Sequence, residues 1–286
     1  MFSGLPWVDA TLFGILGVLI GSFLNVVVHR LPRMLEQGWA AECAEFSGKE
    51  LSAAEPFNLV VPRSRCPHCG HQIRWFENIP VFSYLALRGS CSKCGNAISA
   101  RYPAVELLTG AFFYFSASLH GTTWLALAWA AFCALLIALF LIDFDTQLLP
   151  DDLNYPLLWL GLMVAASGSN ISLQSAVWGA VFGYLSLWSV YHVHHFVTGK
   201  EGLGYGDFKL LAALGAWFGA QNLLAIVLLS SVVGSVFGGL FLLVGRLAHK
   251  DIPFAFGPFL AGAGLLMFVI GPSRLAQWAP FMFPFG

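Results

Sequence analysis

Charge is what this sequence has least of. Lys, Arg, Asp and Glu make up 10% of the 286 residues, against 58% hydrophobic and a mean hydropathy of +0.74. Soluble domains carry roughly 25% charged residues. A chain this poor in charge cannot cover a water-facing surface, so it reads as an integral membrane protein. A basic field of the kind a nucleic-acid partner needs for phosphate contacts is missing outside one loop. No Gly-x-Gly-x-x-Gly fingerprint for a dinucleotide-like ligand is present. Nor does a basic segment precede the first apolar stretch, Thr11–Val28, where the only early charge is Asp9. A cleaved signal peptide starts with positive charge, so this stretch is expected to be a retained transmembrane helix.

A spanning helix needs about 20 mostly apolar residues. Eight segments qualify or come close: 10–29, 103–120, 123–142, 154–169, 174–195, 207–219, 221–245 and 253–272. The fourth and sixth are short enough to be tilted, partly buried or re-entrant. The expected fold is therefore an all-α polytopic membrane protein of about eight transmembrane helices. Its expected divisions are a first helix within 1–30, a polar insert over 31–102, and a membrane core over 103–286. Within the insert, 35–57 is rich in Ala and Glu and is expected to form an amphipathic helix.

The basic residues orient these spans. With the insert in the cytoplasm, Arg30, Arg33, Lys49, Arg63, Arg65, Arg74, Arg88, Lys93, Arg101, Lys200, Lys209, Arg246 and Lys250 all fall inside, and only Arg274 falls outside. That asymmetry is what the positive-inside rule demands.

Two acids then stand at the cytoplasmic ends of their spans: Asp143 in LIDFDTQLLPDDL and Asp207 in GLGYGDFKLL. An acid at a span boundary usually caps a helix, and Asp207, following Gly204-Tyr205-Gly206, suits that role. A pair has another use. Two carboxyls brought to about 3 Å cannot both ionise, so one stays an acid while the other is a base. The base can activate a water and the acid can protonate a leaving amine, which is sufficient chemistry for peptide hydrolysis without a metal. Asp145 competes with Asp143, and spacing leaves both open. Asp151 and Asp152 follow the helix-breaking Pro150 and are expected to face water or to cap the next helix. Lys209 is placed either to reach Asp207 or to snorkel towards phosphates.

Cys66, Cys69, Cys91 and Cys94 form two Cys-x2-Cys pairs, in CPHCG and CSKCG. Four thiolates at this spacing read as a tetrahedral structural zinc site, able to staple a polar insert that has little core of its own. A cytoplasmic location disfavours disulfides. His68 and His71 are spare, since four cysteines fill the shell. Cys43 and Cys133 are unpaired. Glu106, His29 and Arg30 read as anchors at the membrane rim. Lys200 and Glu201 read as a solvated loop, and His192, His194 and His195 as an interfacial cluster.

Several blocks, in order, resemble the type IV prepilin peptidase family of GxGD aspartyl proteases: GSFLNVVVHRLP at 21–32, the paired cysteines, ENIPVFSYLALRGSC at 77–91, RYPAVELLTG at 101–110, LIDFDTQLLPD at 141–151 and GYGDFKLLAALGAW at 204–217. The resemblance implies a bacterial inner-membrane endopeptidase that cuts prepilins and pseudopilins at the cytoplasmic face. It implies Asp143, the acid after Leu-Ile, and Asp207, the GxGD acid, as the catalytic pair. It also implies N-methylation of the new N-terminus with S-adenosylmethionine as donor, near the 31–102 insert. No residue is assigned to that donor. The competing reading from the acids alone is a proton- or cation-coupled transporter.

Overall fold

The structure, a computed structural model, describes residues 5–48, 56–200, 202–243 and 255–283, with backbone only for 238–243. Lys49, Glu201, Arg246 and Lys250, and parts of the expected segments 35–57, 221–245 and 253–272, lie outside the described residues. Among the described residues the elements are helical throughout: α1 (Pro6–Phe46), α2 (Phe82–Ala86), α3 (Arg101–His120), α4 (Trp124–Thr146), α5 (Asp151–Ala166), α6 (Leu173–Thr198), α7 (Tyr205–Phe218), α8 (Leu223–Leu243), α9 (Gly257–Ile270) and α10 (Pro272–Trp278), with three short 3-10 turns. By length and apolar composition three described helices can cross a membrane, α1, α4 and Ala220–Phe237, or four if the bent pair α9–α10 counts as one span. The helices α5, α7 and α9 are shorter; at 1.5 Å per residue, a 14-residue helix such as α7 extends only about 21 Å.

The chain forms two compact units, Met1–Ala134 and Leu135–Gly286, and the boundary falls within α4. In the first unit α1 and α3 pack closely and run antiparallel. Gly14 faces Tyr114, Gly17 faces Phe113 and Gly21 faces Glu106 and Thr109, so the register descends along α3 as it climbs along α1. A Cβ on Gly21 would lie 2.7 Å from the Glu106 Cα, which shows how nearly the two backbones touch. Small residues permit that approach where lipid offers no hydrophobic drive to association.

Helix α1 departs from the sequence expectation. It does not end at Arg30 but runs 41 residues, through Pro32, to Phe46. That is about 60 Å, twice the hydrocarbon thickness. Pro32 removes a single intrahelical donor, and the Leu, Glu, Gln and Ala residues that follow are good helix formers. Beyond Arg33 the helix is mostly exposed.

In the second unit α7 is the central element. It packs on α6 and α5 and also touches α9 and α8. Asp207, Phe208 and every residue from Leu210 to Phe218 are buried. Gly179 of α6 and Gly215 of α7 meet backbone to backbone, with no space for a Cβ on either. Trp217 locks α5 to α7: its ring fills the space beside Gly161 and its indole N–H donates to the Leu157 carbonyl at 2.9 Å. A buried indole without such a partner would be costly.

Candidate active site and candidate metal centre

Asp143 lies in the last turn of α4, where its carbonyl accepts from the Gln147 N–H at 2.9 Å. Gln147 adopts φ +57, a left-handed conformation that ends the helix and turns the chain towards Leu149 and Pro150. Asp143 is buried, 4% exposed, whereas Asp145 is exposed. Residues two apart on a helix point roughly 200° away from each other, so only one of the two acids can face inwards.

Asp207 is 6% exposed and occupies the first turn of α7. One carboxylate oxygen, Oδ2, accepts from the backbone N–H of Gly204 at 3.3 Å. This is the returning half of a capping box. The capping role thus accounts for one oxygen and leaves the other, Oδ1, buried with no hydrogen-bond partner. Asp143 Oδ2 is in the same condition. Leaving a buried polar group unmade costs about 1–3 kcal/mol, and folded proteins keep few of them. The two acids converge on one side chain: Leu149 lies against Gly257, which faces Asp143, and against Gly206, the residue before Asp207.

Two groups that the sequence did not single out complete this site. The Gly257 backbone N–H, at the start of α9, faces the Asp143 carboxyl. Leu149 lies against both glycine-bearing segments: a Cβ on Gly206 would come within 2.6 Å of its Cβ, and one on Gly257 within 2.9 Å of its Cδ1. The available signal was the Gly257-Pro258 step at a helix start, in FAFGPF.

Lys209 does not reach Asp207. Its Nζ binds both oxygens of Asp151 at 2.7 Å and lies 5.4 Å from the centre of the Tyr155 ring. Asp151 and Asp152 sit in the first turn of α5, exposed, where negative charge complements the helix dipole. His192, His194 and His195 are exposed and engaged with neighbours on their own helix, through Trp188, Tyr191 and Thr198. Arg30 and Glu106 are buried in the first unit. Arg30 donates to the carbonyls of Asn58 and Pro62, and Glu106 accepts from the Val81 N–H.

The four cysteines come together in that unit. All four sulfurs lie within 4.8 Å of one another, with Cys66–Cys94 at 3.8 Å and Cys69–Cys91 at 4.0 Å. Sulfurs at about 2.3 Å from a tetrahedral zinc are separated by about 3.8 Å, so the donor set and its spacing fit a metal ion such as zinc. Two equivalent turns build the cluster. In each, the first cysteine's N–H donates to the carbonyl five residues on, His71 or Asn96, at 2.8 Å. Its carbonyl accepts from the glycine four residues on. Gly70 and Gly95 have φ of +67 and +70, a conformation that glycine adopts without steric cost.

The backbone N–H groups of Cys69 and His68 hold the Cys66 thiol down at about 6. Asn96 pulls Cys94 the same way, but desolvation and three neighbouring sulfurs outweigh it and leave that thiol at about 11. His71 is no ligand; it binds Glu77 at 3.2 Å. The Arg74 backbone N–H, Ser92 and His71 hold the Glu77 carboxyl low, at about 2.

Two family models match the chain in succession. Residues 15–120 match the bacterial peptidase A24 N-terminal domain, and residues 130–239 match the type IV leader peptidase family. Proteins named prepilin leader peptidase/N-methyltransferase are similar over nearly the whole chain. The one from Stutzerimonas stutzeri is 52% identical over 271 residues, 93% of this chain and 92% of the relative. The one from Pseudomonas aeruginosa is 54% identical over 268 residues, again 93% and 92%. The one from Aeromonas hydrophila is 50% identical over 277 residues, 96% and 95%. No solved structure matches. With half its residues shared along nine-tenths of its length, this chain belongs to the prepilin leader peptidase/N-methyltransferase family.

Proposed function

We propose that this chain cleaves the leaders of type IV prepilins and pseudopilins at the cytoplasmic face of the bacterial inner membrane, with Asp143 and Asp207 as its catalytic pair. The observation that carries the reading is the pair itself. Two buried carboxyls from separate helices flank the same side chain, Leu149, and each keeps one oxygen free of any protein hydrogen bond. Free oxygens on both acids suit a shared water, with one carboxylate taking its proton and the other carboxyl protonating the departing amine. A prepilin's basic leader and apolar helix would bring the scissile bond to the membrane boundary, where these acids lie under the topology read from the basic residues.

The test is cleavage of a prepilin by Asp143→Asn and Asp207→Asn, with Asp145→Asn as the control. Both single variants should insert, fold and cut nothing, and the control should cut normally. Retained cleavage in either variant would refute that residue's role. The transporter reading finds no support in the names of the relatives.

In the same reading the insert over 31–102 is a cytoplasmic domain, and Cys66, Cys69, Cys91 and Cys94 hold a structural zinc that supplies folding energy to it. Methylation of the new N-terminus, with S-adenosylmethionine as donor, is the second activity, and the relatives' names support it. Among the described residues there is no strand, hence no strand-to-helix glycine cradle of the Rossmann kind for that donor. Cleavage and methylation, assayed separately on one substrate, distinguish loss of one activity from loss of both.

A further inference from the structure

We propose that residues 75–85 of the insert form a foot that lies in the headgroup layer of an anionic membrane leaflet, resting on the cytoplasmic topology proposed above. The first argument is depth. Gly21 packs on Glu106, and Gly21 lies seven residues inside the apolar stretch that ends at Val28, about 10 Å along the helix. Glu106 in turn accepts a hydrogen bond from the Val81 N–H at 2.8 Å. Val81 is therefore drawn down beside the apolar part of α1. It is held there at φ +60, an unusual conformation for a β-branched residue. Whatever follows Val81 starts at the membrane boundary and not out in the cytosol.

The second argument is what that segment displays. Trp75 is 82% exposed, Phe82 74% and Leu85 66%, and Phe76 and Ile79 are exposed too. Trp75 and Phe76 sit on a 3-10 turn, Trp75–Asn78, Phe82 and Leu85 on α2, and Ile79 on the link between these two elements, which pack against each other. Five large apolar side chains within eleven residues are a poor surface for water and a good one for the acyl–headgroup boundary.

A second tether repeats the arrangement. Arg30, just past the end of the apolar stretch of α1, donates to the carbonyls of Asn58 and Pro62 at 2.9 and 2.7 Å. The loop it holds displays Val60 and Val61. Two buried charges on two packed helices thus each fasten an apolar-tipped loop near the membrane end of the pair.

Charge selects the occupant. Between residues 56 and 100 stand Arg63, Arg65, Arg74, Arg88 and Lys93, against Glu77 alone. That acid is already engaged with Arg74 and His71. The Arg74 guanidinium lies over the Phe76 ring at 5.8 Å, an aromatic and a cation presented together. Such a surface attracts anionic lipid and repels the basic leader of a prepilin, so lipid fits it and substrate does not.

The experiment places the photo-crosslinker p-benzoylphenylalanine at position 75, 82 or 85, one at a time, in the full chain. Position 68, exposed in the first cysteine turn, is the control. Each protein is reconstituted in nanodiscs of phosphatidylethanolamine and phosphatidylglycerol, irradiated with and without a prepilin, and weighed intact. Lipid adducts at 75, 82 and 85 should exceed those at 68 at least fivefold, with or without prepilin. Yields no higher than at 68, or a prepilin adduct in place of lipid, overturn the proposal. The three positions are exposed, so a variant that fails to fold at one leaves the others to decide. Adduct formation needs no turnover, so failure here is distinguishable from failure of the catalytic assignment.

Discussion

Gly257 stands so close to Asp143 that a side chain at 257 would run into the carboxyl: an ideal Cβ built there meets Asp143 Oδ2, and the Leu149 Cδ1 lies 2.9 Å from that Cβ. Alanine at 257 must therefore displace the acid or the leucine. Overpacking of this kind costs about 1–3 kcal/mol, and most of that would fall on the position of Asp143. Gly257→Ala should lower the rate of prepilin cleavage by about tenfold or more, which is 1.4 kcal/mol of barrier. Cleavage kinetics beside a thermal melt in detergent check whether activity falls further than stability.

The two glycines of the GYGD run should respond differently to the same substitution. A Cβ on Gly206 would come within 2.6 Å of the Leu149 Cβ, near the rigid base of that side chain. On Gly204 the nearest atom is Asp207 Oδ2 at 3.6 Å, an ordinary contact, and its φ of -81 and ψ of 146 suit any residue. Gly206→Ala should lose most cleavage, while Gly204→Ala stays within about threefold of wild type, since the cap hydrogen bond from its backbone N–H survives. Measured side by side on one substrate, equal losses would contradict the geometry.

Lys209 neutralises Asp151 rather than serving Asp207. The pair is partly exposed, with 27% of the lysine and 46% of the aspartate side chain open. Exposed pairs contribute about 0–1 kcal/mol and are screened by salt. Lys209→Met and Asp151→Asn, singly and together, should each shift stability by less than about 1 kcal/mol and leave cleavage within about threefold of wild type. A double-mutant cycle in melting temperature, at low and high salt, measures the coupling.

Loss of the proposed zinc should act on the insert first. Cys66→Ser leaves three sulfurs for an ion that needs four ligands. Bound zinc should fall from about one per chain to none, and the insert should become sensitive to protease, because site assembly and folding are one equilibrium. Elemental analysis and limited proteolysis read the two effects. A strong chelator should reproduce them on the wild-type chain.

The legible parts of this molecule were those fixed by local spacing. Two Cys-x2-Cys pairs specify their own turns, and the sulfurs meet as the spacing requires. Spacing left Asp143 and Asp145 alike, because both end the same helix; packing buries the first and exposes the second, a difference no local pattern announces. Leu149 and Gly257 were illegible for a different reason. Their contact joins segments 108 positions apart, and nothing in LLPDD announces a partner in FGPF. Helix α1 was underestimated because Arg30, Pro32 and Arg33 look like a terminus, although a single proline costs the helix one donor and the residues after it favour continuation.

The burial of α7 has a consequence for how the protein is made. A 14-residue helix that carries Asp207 and Lys209 is a poor candidate to partition into lipid on its own hydrophobicity. It must enter in company, with α5 and α6 already alongside. The site also needs Gly257, which leaves the ribosome more than a hundred residues after Asp143. On the catalytic assignment proposed above, the two acids therefore belong to an unfinished enclosure during synthesis, and cleavage waits until α9 has docked.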